Sequence, residues 1–256
     1  MSDKSVLTIK IPPEAVKYIL FQRTEYLFFR RNAMVQKVIS FLPRRIAYAL
    51  ESLFSNFDVI VSLEAKMTKK KVQDLFSEGM AFEYENIKSY LPKNPATILD
   101  IGCGVAGIDV LLGNHYKKLS LSPSFFLLDK TDMPTKVYYS FKQRGCYYNS
   151  LDIAKNLLMG NGILEEKISL KEADGKVVGF DAKFDLVISL ISWGFHYPVA
   201  IYLDEVYAKM NKGGVLIIDV RKVPQEDGIQ LIKNKFGNIT IIKESPKSAR
   251  VVAVKA

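Results

Sequence analysis

The chain has 256 residues, 48% hydrophobic and 25% charged, a balance that suits one compact domain with an appended helical segment. Its net charge of +9 is spread over the whole length, which predicts weak attraction to polyanions and no defined nucleic-acid stripe. No apolar run approaches the roughly 18 residues of a membrane span. The N-terminus, with Asp3 and no apolar core, excludes a secretory leader, and two cysteines, Cys103 and Cys146, make neither a disulfide framework nor a zinc site. A cytoplasmic protein without a metal centre is expected.

Residues 1–95 read as a helical segment. Pro12 and Pro13 start it, and Val16, Ile19, Leu20, Leu27, Met34, Val38 and Leu42 recur at three- and four-residue steps. Pro43 interrupts the run. Ile46, Leu50, Leu53 and Phe54 form a second amphipathic stretch. A third, from about 68 to 91, carries Val72, Leu75, Phe76, Met80, Ile87 and Leu91. This segment is expected to be a lid that determines the substrate, with Phe82, Tyr84 and Tyr90 covering the site.

From residue 97 strands and helices alternate, which predicts an α/β fold: a mostly parallel sheet with helices on both faces. Strands are predicted at 97–101, 125–128, 168–171, 186–190 and 215–219, and helices at 105–116, 150–159, 199–210 and 225–236. Asn149 and Asp152 resemble an N-cap pair, Pro198 and Pro224 suit helix starts, and Gly237 suits a stop. Two last strands, 238–243 and 250–254, are separated by a polar turn and should pair antiparallel.

The densest signal lies at 96–107. An aliphatic run reaches Asp100, and Gly102, Gly104 and Gly107 follow at G-x-G-x-x-G spacing before a helical pattern. Glycine serves there where the backbone takes positive φ or closely approaches a ligand. The spacing alone fits a nicotinamide dinucleotide, S-adenosylmethionine, or an ordinary βα turn. Asp100 just ahead of the glycines, together with the closing antiparallel pair, resembles the class I S-adenosylmethionine-dependent methyltransferases over roughly residues 80–256. A dehydrogenase usually continues into a substrate domain, for which no sequence remains.

The resemblance implies a Rossmann-like domain over 96–256, S-adenosylmethionine as cofactor and methyl transfer as activity. It also implies a cofactor site built from Asp100, Gly102, Cys103, Gly104 and Gly107. Asp129 would take the ribose hydroxyls, with Asp132 as the alternative. Asp174 would meet the adenine amino group, with Glu172 competing. Ser192 would approach the methyl end.

Residues 189–198 hold the single tryptophan, Trp193, and one of two histidines, His196. They lack the Asn-Pro-Pro-Tyr pattern of enzymes that methylate exocyclic amines. A hydroxyl acceptor must lose a proton near attack, and His196 is the candidate general base. A histidine merely hydrogen-bonded beside a helix start is the alternative. His115 reads as a favourable charge at a helix C-terminus.

The insertion at 130–148 carries Tyr138, Tyr139, Phe141, Tyr147 and Tyr148. It is either an aromatic cap over the acceptor or a patch covering the sheet's end. Tyr138, Tyr139, Trp193, Tyr197 and Arg221 are the candidate substrate residues, although Arg221 could instead pair with Asp219. The expected acceptor is a small molecule methylated at oxygen. The alternatives are an RNA-directed methyltransferase or RNA-binding protein, and a non-catalytic cofactor-binding partner protein.

Overall fold

The aliphatic runs after residue 96 assemble into one sheet of seven strands. The structure is a computed structural model that describes residues 7–27, 57–131 and 149–256. Its strands are β1 (Thr97–Ile101), β2 (Ser124–Asp129), β3 (Ile168–Glu172), β4 (Phe184–Ser189), β6 (Met210–Arg221), β7 (Ile239–Glu244) and β8 (Ser248–Val254). The order is β3-β2-β1-β4-β6-β8-β7. The first five pair in parallel. β8 runs antiparallel to both β6 and β7. The expected closing pair is therefore present, and its reversed member is inserted between β6 and β7. A further short strand, β5 (Ser192–Tyr197), stands outside this order and packs beside β6. It was not foreseen.

Among the described residues seven helices flank the sheet: α1 (Ala15–Gln22), α2 (Phe57–Met67), α3 (Lys69–Ile87), α4 (Gly107–Lys118), α5 (Leu151–Gly160), α6 (Leu203–Lys209) and α7 (Gly228–Phe236). Alternate residues of each strand point to opposite faces. Ile98, Leu127, Leu186 and Ile217 pack with Val16, Ile19 and Leu20 of α1, Phe76 and Ile87 of α3, and Leu111 and Leu157 of α4 and α5. Leu99, Val187, Leu216 and Ile218 pack on the other face with Val206, Ile232 and Phe236. The described part of the N-terminal segment thus shares one continuous core with the sheet. The predicted apolar positions at 34–54 lie outside the described residues.

Three local expectations change. The α5 cap is Ser150, whose side chain accepts from Ile153 N–H at 3.4 Å, whereas Asn149 turns inward. The helix expected at 199–210 divides into a 3-10 turn, Val199–Ile201, and α6. Pro224 precedes α7 by a turn, and Asp227 caps that helix at Gln230 N–H. Gly237 ends it at φ 83°, as expected. Among the described residues no helix is long and apolar enough to cross a membrane, and no three potential metal ligands converge.

Candidate functional site

In open α/β sheets ligands bind beyond the carboxyl ends of the strands, and the glycine turn lies there. After β1 the chain passes through Gly102 at φ 77° and Gly104 at φ 57°. Two bonds tie this turn to the end of β2: Gly102 N–H donates to Leu128 O at 2.6 Å, and Gly104 N–H to Asp129 Oδ2 at 2.7 Å. Both glycines leave room that other side chains enter. A Cβ on Gly102 would stand 1.8 Å from Ser192 Oγ, and one on Gly104 would stand 2.7 Å from Gln22 Oε1.

Gly107, assigned to the cofactor by its spacing, is pressed against protein side chains. It lies inside α4, and a Cβ there would come 2.5 Å from the Phe76 ring and 3.0 Å from Met80. Its role is the close packing of α3 on α4. The third left-handed residue of the turn is Ala106, at φ 62°.

Three carboxylates surround the turn, Asp100 and Asp109 buried and Asp129 half-buried. Burial lifts Asp129 from the ordinary 3.8 to about 6, against the hydrogen bonds it accepts from Lys130 N–H, Gly104 N–H and the Asn149 amide. Asp100 is raised well above its ordinary value, first by burial and then by the Asp109 charge. Burial also lifts Asp109 to about 6. Neither Asp109 oxygen has a donor of its own, so the pair is satisfied only when Asp100 carries a proton to share. Asp109 sits in the first turn of α4, where the helix dipole favours the negative partner. No side-chain cation is among the groups that set these three acids. Burial and the same acids push the Cys103 thiol well up, which leaves it an unreactive buried thiol.

A cleft opens beside them. Leu128, Asp129 and Lys130 form one wall, Ala173 and Gly175 beyond β3 another, and Ser192, Tyr197 and Tyr202 a third. Asp174 lies between two lining residues but is exposed, and its Oδ1 accepts from Lys176 and Val177 N–H. It stabilises its own turn. Glu172 is likewise engaged, accepting Thr131 N–H at 2.9 Å.

The remaining candidates divide. Tyr197 lines the cleft. Trp193 does not: it is fully buried, and its indole N–H donates to Val199 O at 3.1 Å. That makes it a core anchor for β5. His196 keeps an exposed edge and is not among the cleft-lining residues. Desolvation, and then the Arg221 charge, hold its pKa below the usual imidazole value. Arg221 lies over the Phe195 ring at 5.0 Å. Asp219, its suggested ion-pair partner, pairs with Arg250 at 2.7 Å. His115 meets the Tyr84 hydroxyl through Nδ1 at 2.7 Å, and burial lowers its pKa, so it is no helix-end charge. Tyr84 is therefore committed to α4 and not to a cover. Phe82 is exposed beneath Lys243. Asp132, Tyr138, Tyr139 and the rest of 132–148 lie outside the described residues.

The sequence reading missed Gln22, Asn149, Lys130 and Tyr202. Asn149 is buried and donates through Nδ2 to Asp129 Oδ2 at 3.0 Å. Gln22, at the end of α1, donates to Asn149 Oδ1 at 3.3 Å. Their partners lie 20 and 127 residues away in the chain, beyond any local pattern.

No sequence-family profile matches this chain, and no curated protein sequence matches it. Among solved structures it is similar to a protein of Nostoc punctiforme assigned as an O-methyltransferase, with 13% identity and a TM-score of 0.48 over 70% of this chain and 56% of that one. It is similar to the Precorrin-6y C5,15-methyltransferase of Geobacter metallireducens, with 14% identity and a TM-score of 0.48 over 70% of this chain and 89% of that one. A third is a 16S rRNA methyltransferase of T. thermophilus in complex with AdoMet and guanosine, with 15% identity and a TM-score of 0.46 over 69% and 43%. The matched region spans little more than half of the first structure and less than half of the third. At these scores the likenesses transfer none of those activities to this chain.

Proposed function

We propose that this chain is a methyltransferase that uses S-adenosylmethionine and a small-molecule acceptor, with transfer to oxygen. The observation that carries the reading is the Gly104–Asp129 bond: the glycine turn after β1 and the half-buried acid ending β2 meet at the carboxyl edge of a sheet ordered β3-β2-β1-β4-β6-β8-β7. Two buried carboxylates and a half-buried third, all raised and with no side-chain cation among the described residues as a cause, also fit a ligand that brings positive charge.

S-adenosylmethionine supplies an electrophilic methyl group on a sulfonium. This chain's part is placement. Asp129 offers a carboxylate to ribose hydroxyls, Leu128 and Ala173 give an apolar wall for a base, and Gly102 leaves the turn open beneath Ser192. Alignment of donor and acceptor then does most of the work in an in-line displacement. His196 is neutral near pH 7 and able to accept a hydroxyl proton. Because Tyr197 and not His196 lines the cleft, the acceptor oxygen has to sit beyond Tyr197 to reach it.

Titration calorimetry tests the cofactor: S-adenosylhomocysteine should bind and NADH should not, and tighter binding of NADH overturns the reading. Transfer of labelled methyl into small-molecule and RNA fractions then separates the acceptor classes. His196→Ala should lower kcat by about 10²–10⁴ for a hydroxyl acceptor. Near-normal kcat at every pH removes His196 and moves the acceptor from oxygen toward nitrogen.

A further inference from the structure

Resting on that reading, we infer that Asn149 binds the cofactor's ribose diol jointly with Asp129, and that Gln22 is the positioning residue that holds the Asn149 amide in the working orientation. A count of acceptor sites leads there. A carboxylate offers about two lone-pair sites on each oxygen. On Asp129, Oδ2 already accepts from Gly104 N–H at 2.7 Å and Asn149 Nδ2 at 3.0 Å, while Oδ1 accepts from Lys130 N–H at 2.7 Å. One site remains, on Oδ1. A vicinal diol brings two hydroxyls, so Asp129 can accept the proton of only one, and the oxygen of the other is left for a nearby donor to hold.

The neighbouring group that can satisfy it is Asn149. Its amide nitrogen has two N–H donors and spends one on Asp129. The second N–H can donate to the hydroxyl oxygen that Asp129 does not take. This works only with the nitrogen turned toward the carboxylate, and Gln22 enforces that orientation by donating to Asn149 Oδ1 at 3.3 Å. Gln22 is itself seated against Gly104, where a Cβ would collide with its amide at 2.7 Å. The glycine, α1 and the residue ahead of α5 thus form one reader of the diol.

The test is calorimetric and needs no turnover: binding of S-adenosylhomocysteine is compared with that of its 2′-deoxy and 3′-deoxy forms. In Asn149→Ala, S-adenosylhomocysteine should weaken about five- to tenfold, one hydrogen bond's worth. One of the two deoxy forms, lacking the hydroxyl that Asn149 reads, should weaken less than about twofold. Gln22→Ala should narrow the same discrimination about two- to threefold, and it serves as the test if Asn149→Ala does not fold. Equal weakening of all three ligands, or no change in any, overturns the inference while leaving cofactor binding intact. Failure of the unaltered chain to bind S-adenosylhomocysteine sinks the cofactor reading itself, and the inference with it.

Discussion

Two groups of acids behave in opposite ways. At the edge of β6 and β8, Asp219 and Glu83 are compensated by Arg250, whose guanidinium reaches both Asp219 oxygens at 2.7 and 2.8 Å and also Glu83. Burial works against the Arg250 charge, but Asp219 and then Glu83 hold its pKa above the ordinary value. At the glycine turn, Asp100 and Asp109 are buried and Asp129 is half-buried, no side-chain cation among the described residues is a cause of their shifts, and all three are raised. The first group closes its own electrostatics and pins α3 to the sheet. The second is not compensated by a described side-chain cation, which costs the ligand-free fold energy and, on the proposed function, would be offset by a positive ligand.

The largest test of that contrast is Arg250→Met. It leaves two buried carboxylates facing each other, and urea unfolding should show a loss of roughly 3–5 kcal/mol. A loss below about 1 kcal/mol would make the two groups alike. Asp109→Asn should do the reverse and raise stability by about 1–2 kcal/mol at pH 7, since it deletes an ionised group that burial disfavours. Destabilisation by that change would mean that the dipole of α4 outweighs burial.

The smallest effect is in pH. Asp129 has a folded pKa of about 6 against an ordinary 3.8, so the folded form binds its proton more tightly. Its ionisation costs stability above about pH 6, and that cost fades as pH falls toward the ordinary value. Between pH 7 and pH 5 the unaltered chain should therefore gain about 1 kcal/mol on Asp129→Asn. Saturating S-adenosylmethionine should flatten the difference by favouring the ionised form, and a gap that widens in the other direction would contradict the burial argument.

What was legible in the sequence was what local pattern encodes. β1 was placed to the residue because an aliphatic run, Asp100 and two left-handed glycines define both its ends. β5 was not, because Gly194 at φ 82° interrupts Ser192–Tyr197, and what fixes the strand is long-range packing by Trp193 and β6. The packing at Gly107 was hidden for a related reason: spacing shows that a side chain is excluded but not that the Phe76 ring excludes it. Asn149 looked like a cap because its i+3 neighbour is acidic. Its real partner, Asp129, enters only through the crossover between β2 and α5. The cofactor turn could be read locally, while the residues that complete it come from α1 and from the far end of an insertion.

The position of β8 bears on how this chain is made. Residues 248–254 sit between β6 and β7, so β7 leaves the ribosome before the strand that seats it. Until β8 follows, β6 presents an unpaired edge of aliphatic residues, Leu216 through Ile218 among them. Such an edge recruits foreign strands. Completion of the sheet waits on a pairing between Val215 and Val254, and such distant contacts form slowly. The vulnerable interval of this sheet therefore lies between the making of β6 and the making of β8, with the glycine turn already built and the neighbouring half of the sheet still ajar.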